Sequence, residues 1–112
     1  MSDAAPVRRG VYSYQGAIRR SEFLVVSIDS LNTAGTVIVL EVSPEEPPED
    51  LRGLLAVQLT DADPLPGHWV LCWRINYAAA ARFDVAGTHG TVTEQTMTKV
   101  LAAVRSAIEP LS

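Results

Sequence analysis

The chain has a single cysteine, Cys72, among its 112 residues, so an internal disulfide is excluded. Cys72 lies in an apolar run, which predicts a buried, inert thiol rather than a nucleophile. There are only two histidines, His68 and His89, and neither a pair of CxxC motifs nor an HxxxH motif, so no metal is expected. A glycine-rich phosphate loop and a serine nucleophile elbow are missing as well, and nothing implies another cofactor. No apolar run approaches the roughly 20 residues that span a bilayer. The opening segment MSDAAPVRRG carries no apolar leader, which predicts a cytoplasmic protein with no membrane partner.

Basic charge is also scarce. The net charge is −4, which weighs against nucleic-acid binding, because phosphate contacts draw on Lys and Arg. However, four acids (Glu45, Glu46, Glu49 and Asp50) are confined to SPEEPPED. Thirteen acids less these four leave nine, against nine Lys and Arg, so the rest of the chain is balanced and can carry a local basic patch. Eight of the nine basic residues are arginine. That composition suits bidentate phosphate recognition, and a GC-rich genome would produce it equally well.

A length of 112 residues with 47% hydrophobic and 20% charged content predicts one globular domain behind a flexible basic arm over residues 1–8. GVYSYQ, Phe23 to Ile28, Val37 to Val42 and Leu54 to Leu59 read as short strands. The second and third of these are expected to pair antiparallel around turn chemistry at Asn32 to Gly35. Three prolines and four acids make Pro44 to Asp50 a solvated loop. Asp61 and Asp63, in the turn DADPLPG, are expected to be solvated rather than an acid/base pair. In HWVLCWRINY, Trp69, Leu71, Trp73 and Ile75 alternate with Val70, Cys72, Arg74 and Asn76. Both tryptophans are expected in the core or a dimer interface. Met97, Val100, Leu101, Val104, Ile108 and Leu111 form one stripe of a helix from about Glu94 to about Glu109, with Thr93 as N-cap or Thr91 opening a capping box, and Pro110 ending it. Strands followed by a helix predict an α+β fold, a small, strongly bent antiparallel sheet or barrel closed by a C-terminal helix.

Five segments together resemble the MazF/PemK family of small dimeric bacterial toxins. Arg9, Gly10 and Tyr12 resemble its opening R-G-D-[IVL]-[YW], without the acid. Leu24 to Asn32 is similar to A-V-V-[LV]-S-N-D, and Val37 to Ser43 to the strand that ends near a functional Thr or Ser. Trp73 to Asn76 falls where the family has D-Q-[IV]-[RK], and Gly90, Thr93, Met97 and Val100 to Ile108 follow its closing helix pattern. The resemblance implies an SH3-like, MazF/CcdB-type fold, a homodimer and a cognate antitoxin. It also implies metal-independent cleavage of single-stranded RNA, in which the 2′-hydroxyl attacks the adjacent phosphate.

In the family an Arg-Pro pair before the Val-rich strand and a Thr or Ser after the next strand are central to that chemistry. Here Ser21 and Glu22 stand at the Arg-Pro position, with Arg20 one residue earlier, and Ser43 fills the hydroxyl position. The catalytic residues implied are Arg20 and Arg74, holding phosphate charge, and Ser43, donating a hydrogen bond. Arg19, Tyr12, Tyr14, Ser27 and Asn76 are the implied RNA contacts. In the bland reading the arginines are surface charges and Ser43 is only a strand end. Two other functions remain open: a catalytically inactive interaction module on the same fold, and a CcdB-like toxin that is not a nuclease.

Overall fold

The computed structural model describes residues 5–15 and 20–109. In chain order its elements are β1 (Gly10–Gln15), β2 (Arg20–Val25), α1 (Asp29–Thr33), β3 (Thr36–Ser43), β4 (Ala56–Gln58), β5 (Trp69–Ala79), a 3-10 turn over Ala80–Arg82, β6 (Gly90–Thr91) and α2 (Glu94–Ile108). The strands form one curled antiparallel sheet in the order β4-β5-β3-β2-β1-β6. The expected α+β class is therefore present, as a half-barrel whose edges β4 and β6 do not meet.

β2 and β3 pair antiparallel, with Leu24 opposite Leu40 and Val25 opposite Val39. The apolar run from Phe23 was expected to continue as strand to Ile28, but it leaves the sheet after Val25. Buried Ser27 explains the exit: its hydroxyl accepts from the Ile38 N–H at 2.9 Å and donates to the Asn32 side chain. Asp29–Thr33 then forms one helical turn instead of an open loop. Gly35, with φ +108°, returns the chain to β3 in a conformation that a side chain would strain. Ahead of β1, Pro6 is buried and residues 7 and 8 are tied down, the Val7 N–H to the Tyr12 hydroxyl and Arg8 to Asp29 and the Val26 carbonyl. The last part of the expected flexible arm is thus docked.

Side-chain alternation gives the sheet two apolar faces. Val11, Leu24, Leu40, Val42, Val70 and Cys72 pack with Val92, Met97 and Val100 under α2. Tyr12, Val25, Val37, Val39 and Phe83 form a second cluster on the other side. β5 serves both faces through a bulge. Glu41 pairs with Leu71, whereas its neighbour Leu40 pairs with Ile75, so Cys72, Trp73 and Arg74 have no partners in that ladder. An odd number of extra residues reverses the alternation. Leu71 and Ile75 therefore lie on opposite faces, not on the common face the sequence predicts, and both tryptophans end half-buried.

The closing helix begins as expected. The Thr93 hydroxyl accepts from the Thr96 N–H at 3.1 Å, so Thr93 and not Thr91 is the N-cap. Ile108 is exposed at the frayed end of the stripe, and Leu111 lies outside the described residues. Asp63 is a correction to the sequence reading: it is 5% exposed, not solvated. Its carboxylate accepts from the Thr93 N–H at 2.8 Å, the Thr60 N–H at 2.9 Å, and the Thr96 and Thr60 hydroxyls at 2.7 and 2.8 Å. It thereby fastens the turn after β4 to the start of α2.

Burial pushes the Asp63 carboxyl up, but the four donors outweigh burial and hold it below 3.8. A carboxyl depressed in the folded state adds stability above its unfolded value, and that stability fades as pH falls through the folded value. Asp63→Asn is expected to cost about 1–3 kcal/mol in urea unfolding at pH 7, with the gap to the unaltered protein narrowing below about pH 4. A gap that stayed constant from pH 7 to the acid limit would contradict this role.

Candidate active-site cleft

Where β2 begins and β3 ends, the sheet and the Pro44 to Pro48 loop enclose an open cleft of about 530 Å³. Its walls include Arg20 and Glu22 of β2, Glu41 and Ser43 of β3, and Trp73 and Arg74 of β5. All three residues expected to carry catalysis are therefore on one cleft, although far apart in sequence. The β5 bulge is what brings Arg74 here, out of regular strand pairing.

The arginines are not bare. Arg74 Nη1 is 3.2 Å from both carboxylate oxygens of Glu41. Arg20 Nη2 donates to Ser13 Oγ at 2.6 Å, and its Nε lies 3.5 Å from Glu22 Oε1. Ser43 Oγ accepts from the Glu45 N–H at 3.1 Å, a local turn that leaves its own proton available to donate. Glu22 pairs across the sheet with Val42, so by alternation Glu41 and Ser43 leave the sheet on the opposite side from Glu22. The cleft wraps that end of the sheet and takes residues from both sides. Including Glu45 and Glu46, it presents four acids against two arginines.

The expected RNA contacts are dispersed. Tyr12 is 2% exposed, stacked edge-on to Phe83 with its hydroxyl engaged by Val7, so its ring offers no surface to a base. Tyr14 is wedged between Phe23 and Phe83, with ring centroids 5.8 and 5.2 Å away. Both belong to an aromatic cluster that stiffens the sheet. Ser27 is buried in the bend after β2. Asn76 lies beside Leu31, Ile38 and Tyr77 in a separate small hollow, its Oδ1 turned back to the Tyr77 N–H. Arg19 lies outside the described residues.

Sequence reasoning missed a polar cluster built around Glu22 of the cleft wall. His89 Nε2 is 2.7 Å from Glu22 Oε2 and 3.0 Å from Ser13 Oγ, while Ser13 Oγ donates to the same Glu22 oxygen at 2.7 Å. Ser13 is only 7% exposed. One signal was legible: Ser13 and Glu22 occupy the face on which Val11 and Leu24 are core residues, and polar side chains in an inward register need partners. Trp73, expected in the core or a dimer interface, is half-buried and forms part of the cleft wall. Among the described residues, no group of three or more His, Cys, Asp or Glu is placed to hold a metal ion, and no helix is long and apolar enough to cross a membrane.

A family model described as PemK-like, MazF-like toxin of type II toxin-antitoxin system matches residues 8–108. Comparison with curated protein sequences finds no match. Among solved structures, an endoribonuclease in complex with its cognate antitoxin from a mycobacterial species is similar, with TM-score 0.82 and 24% identity over 96% of this chain and 100% of that one. A chain of a MazE-MazF complex from Deinococcus radiodurans matches with TM-score 0.79 and 15% identity over 97% and 100%. The Mycobacterium tuberculosis toxin MazF-mt6 matches with TM-score 0.70 and 14% identity over 93% and 100%. At these identities the likeness establishes the fold, and the site must be argued from its own residues.

Two properties of this region are open to direct measurement. Burial pushes the Cys72 thiol up to about 12, so a disulfide reagent at pH 8 is expected to label it only after unfolding; rapid labelling of the native protein would refute its inertness. Arg74→Ala removes a solvent-exposed ion pair and should change the unfolding free energy by less than about 1 kcal/mol in a urea titration.

Proposed function

The chain belongs to the PemK-like, MazF-like family of type II toxin-antitoxin toxins, and from that premise we propose that it is a metal-independent endoribonuclease acting on single-stranded RNA in the cytoplasm. The observation that supports the reading is the cleft itself, whose walls include Arg20, Ser43 and Arg74 from three strands. Cleavage requires the 2′-oxygen to attack phosphorus and the 5′-oxygen to leave, giving a cyclic phosphate and a 5′-hydroxyl. Negative charge grows on the non-bridging oxygens as the phosphorane forms. Arg20 and Arg74 hold that charge, and the Ser43 hydroxyl donates one hydrogen bond to it. Each arginine reaches the phosphate by exchanging its internal glutamate for an RNA oxygen. Those carboxylates also keep the guanidinium groups oriented until the substrate arrives.

Two partners complete the proposal. The cognate antitoxin supplies an acidic segment that competes with RNA for the cleft arginines. A second copy of the chain covers the apolar surface of exposed Ile75 and Tyr77 and half-buried Ile38 near α1. One observation favours a different reading: four acids against two arginines make a cleft that resists a polyanion. A catalytically inactive interaction module would tolerate that imbalance.

The discriminating experiment is cleavage of a long, mixed-sequence RNA in EDTA with 5′-end mapping. The unaltered protein is compared with Arg20→Ala, Arg74→Ala and Ser43→Ala. Discrete cuts are expected to survive chelation and to weaken by about 10²–10³-fold in the arginine variants. Intact RNA at stoichiometric protein would sink the nuclease reading and put the interaction module ahead of it.

A further inference from the structure

Building on the ribonuclease reading, we propose that Glu22 and His89 are the proton-transfer pair of the reaction and that Ser13 positions them. Arg20, Arg74 and Ser43 supply charge and a hydrogen bond, but none of them readily exchanges a proton at neutral pH. Cleavage needs both an acceptor for the 2′-hydroxyl proton and a donor for the departing 5′-oxygen. Glu22 is on the cleft wall beside Arg20, and His89 is in hydrogen-bond contact with it at 2.7 Å. Their side chains remain 23% and 27% exposed, so substrate can reach them.

The arrangement is built into the sheet. Ser13 and Glu22 are cross-strand partners, two positions along from the fully buried pair Val11 and Leu24. Apolar side chains in that register would simply extend the core. The loop before β6 is fastened to β1 by the His89 N–H and the Thr88 hydroxyl, both donating to the Val11 carbonyl. That anchorage delivers the imidazole to Glu22 from a position 67 residues away in sequence. Ser13 Oγ bridges Glu22, His89 and Arg20. The cluster is not a nucleophilic triad: Ser13 and Glu22 approach the same imidazole nitrogen, whereas a triad carboxylate holds the other one, and the hydroxyl is buried.

The proton balance closes within the pair. The Glu22 carboxylate takes the 2′-hydroxyl proton as the 2′-oxygen bonds to phosphorus. The phosphorus–5′-oxygen bond breaks, and His89 in its imidazolium form gives a proton to the leaving 5′-oxygen. Protonated Glu22 and neutral His89 remain. The proton then returns from Glu22 to His89 across their contact, directly or through the Ser13 hydroxyl, and neither water nor an oxidant is consumed.

The test uses the full-length protein and two RNAs that differ at one mapped cleavage site, one with the natural 5′-oxygen and one with a 5′-bridging sulfur, which leaves without a proton. On the oxygen substrate, His89→Ala, His89→Gln and Glu22→Gln are each expected to slow cleavage by about 10²–10⁴-fold. On the sulfur substrate the His89 variants should approach the unaltered protein, while Glu22→Gln stays slow. A merely structural role for His89 would impair both substrates alike, and that result overturns the assignment. So does oxygen-substrate cleavage by either His89 variant within about threefold of normal, or faster cleavage by Glu22→Gln, which would make Glu22 only a counter-ion of Arg20. If the unaltered protein cuts neither substrate, the ribonuclease reading itself fails and takes this assignment with it. If it cuts normally and the variants do too, the pair alone is wrong.

Discussion

The register of β2 between β1 and β3 is the constraint on which the rest of the structure depends. Leu24 sits opposite Val11 on one side and Leu40 on the other, and all three are fully buried beneath α2. Side chains alternate along a strand, so the pairing that sends Leu24 inward also sends Glu22 to the same face and Ser21 and Phe23 to the other. A slip of one residue would place Phe23 where Leu24 packs, and Ser21 in place of Glu22 beside Ser13. Core stability and site chemistry are thus secured by the same set of cross-strand pairs.

Electrostatics then set how the cleft behaves before any ligand arrives. Arg20 and Arg74 each rest against a glutamate from the same sheet. Such partly exposed pairs contribute little to stability, and they hold long side chains near one geometry. Membership of the PemK-like, MazF-like family combines here with a carboxylate, Glu22, at the position where the sequence resemblance implies the proline of Arg-Pro. The unusual acid is not stranded, because Ser13, Arg20 and His89 all contact it. A residue that looks unfavourable for phosphate in a linear comparison proves to have hydrogen-bonding and ionic partners once its neighbours are known.

Much of the fold was legible because it rests on short-range periodicity. The alternating and apolar runs marked the strands, and the three- and four-residue spacing from Met97 to Val104 marked α2 down to its Thr93 cap. The errors came from interactions between distant residues. Ser27 reaches Ile38 and Asn32 and ends β2 early. Asp63 is buried because the donors at Thr93 and Thr96 come from another element. Tyr12 and Tyr14, expected at the RNA surface, are drawn into a cluster with Phe83, some seventy positions on.

The site divides in the same way. Arg20, Ser43 and Arg74 were named from a family resemblance, the arginines at shifted positions, and the sequence by itself determined the α+β class, the main strands and the capped closing helix, since each follows from local side-chain pattern and backbone preference. Only the tertiary structure decided that a three-residue bulge releases Arg74 from the β5 ladder at the cleft and that the loop before β6 brings His89 to Glu22. Those outcomes depend on strand register and on hydrogen bonds between segments remote in sequence, which no local pattern encodes.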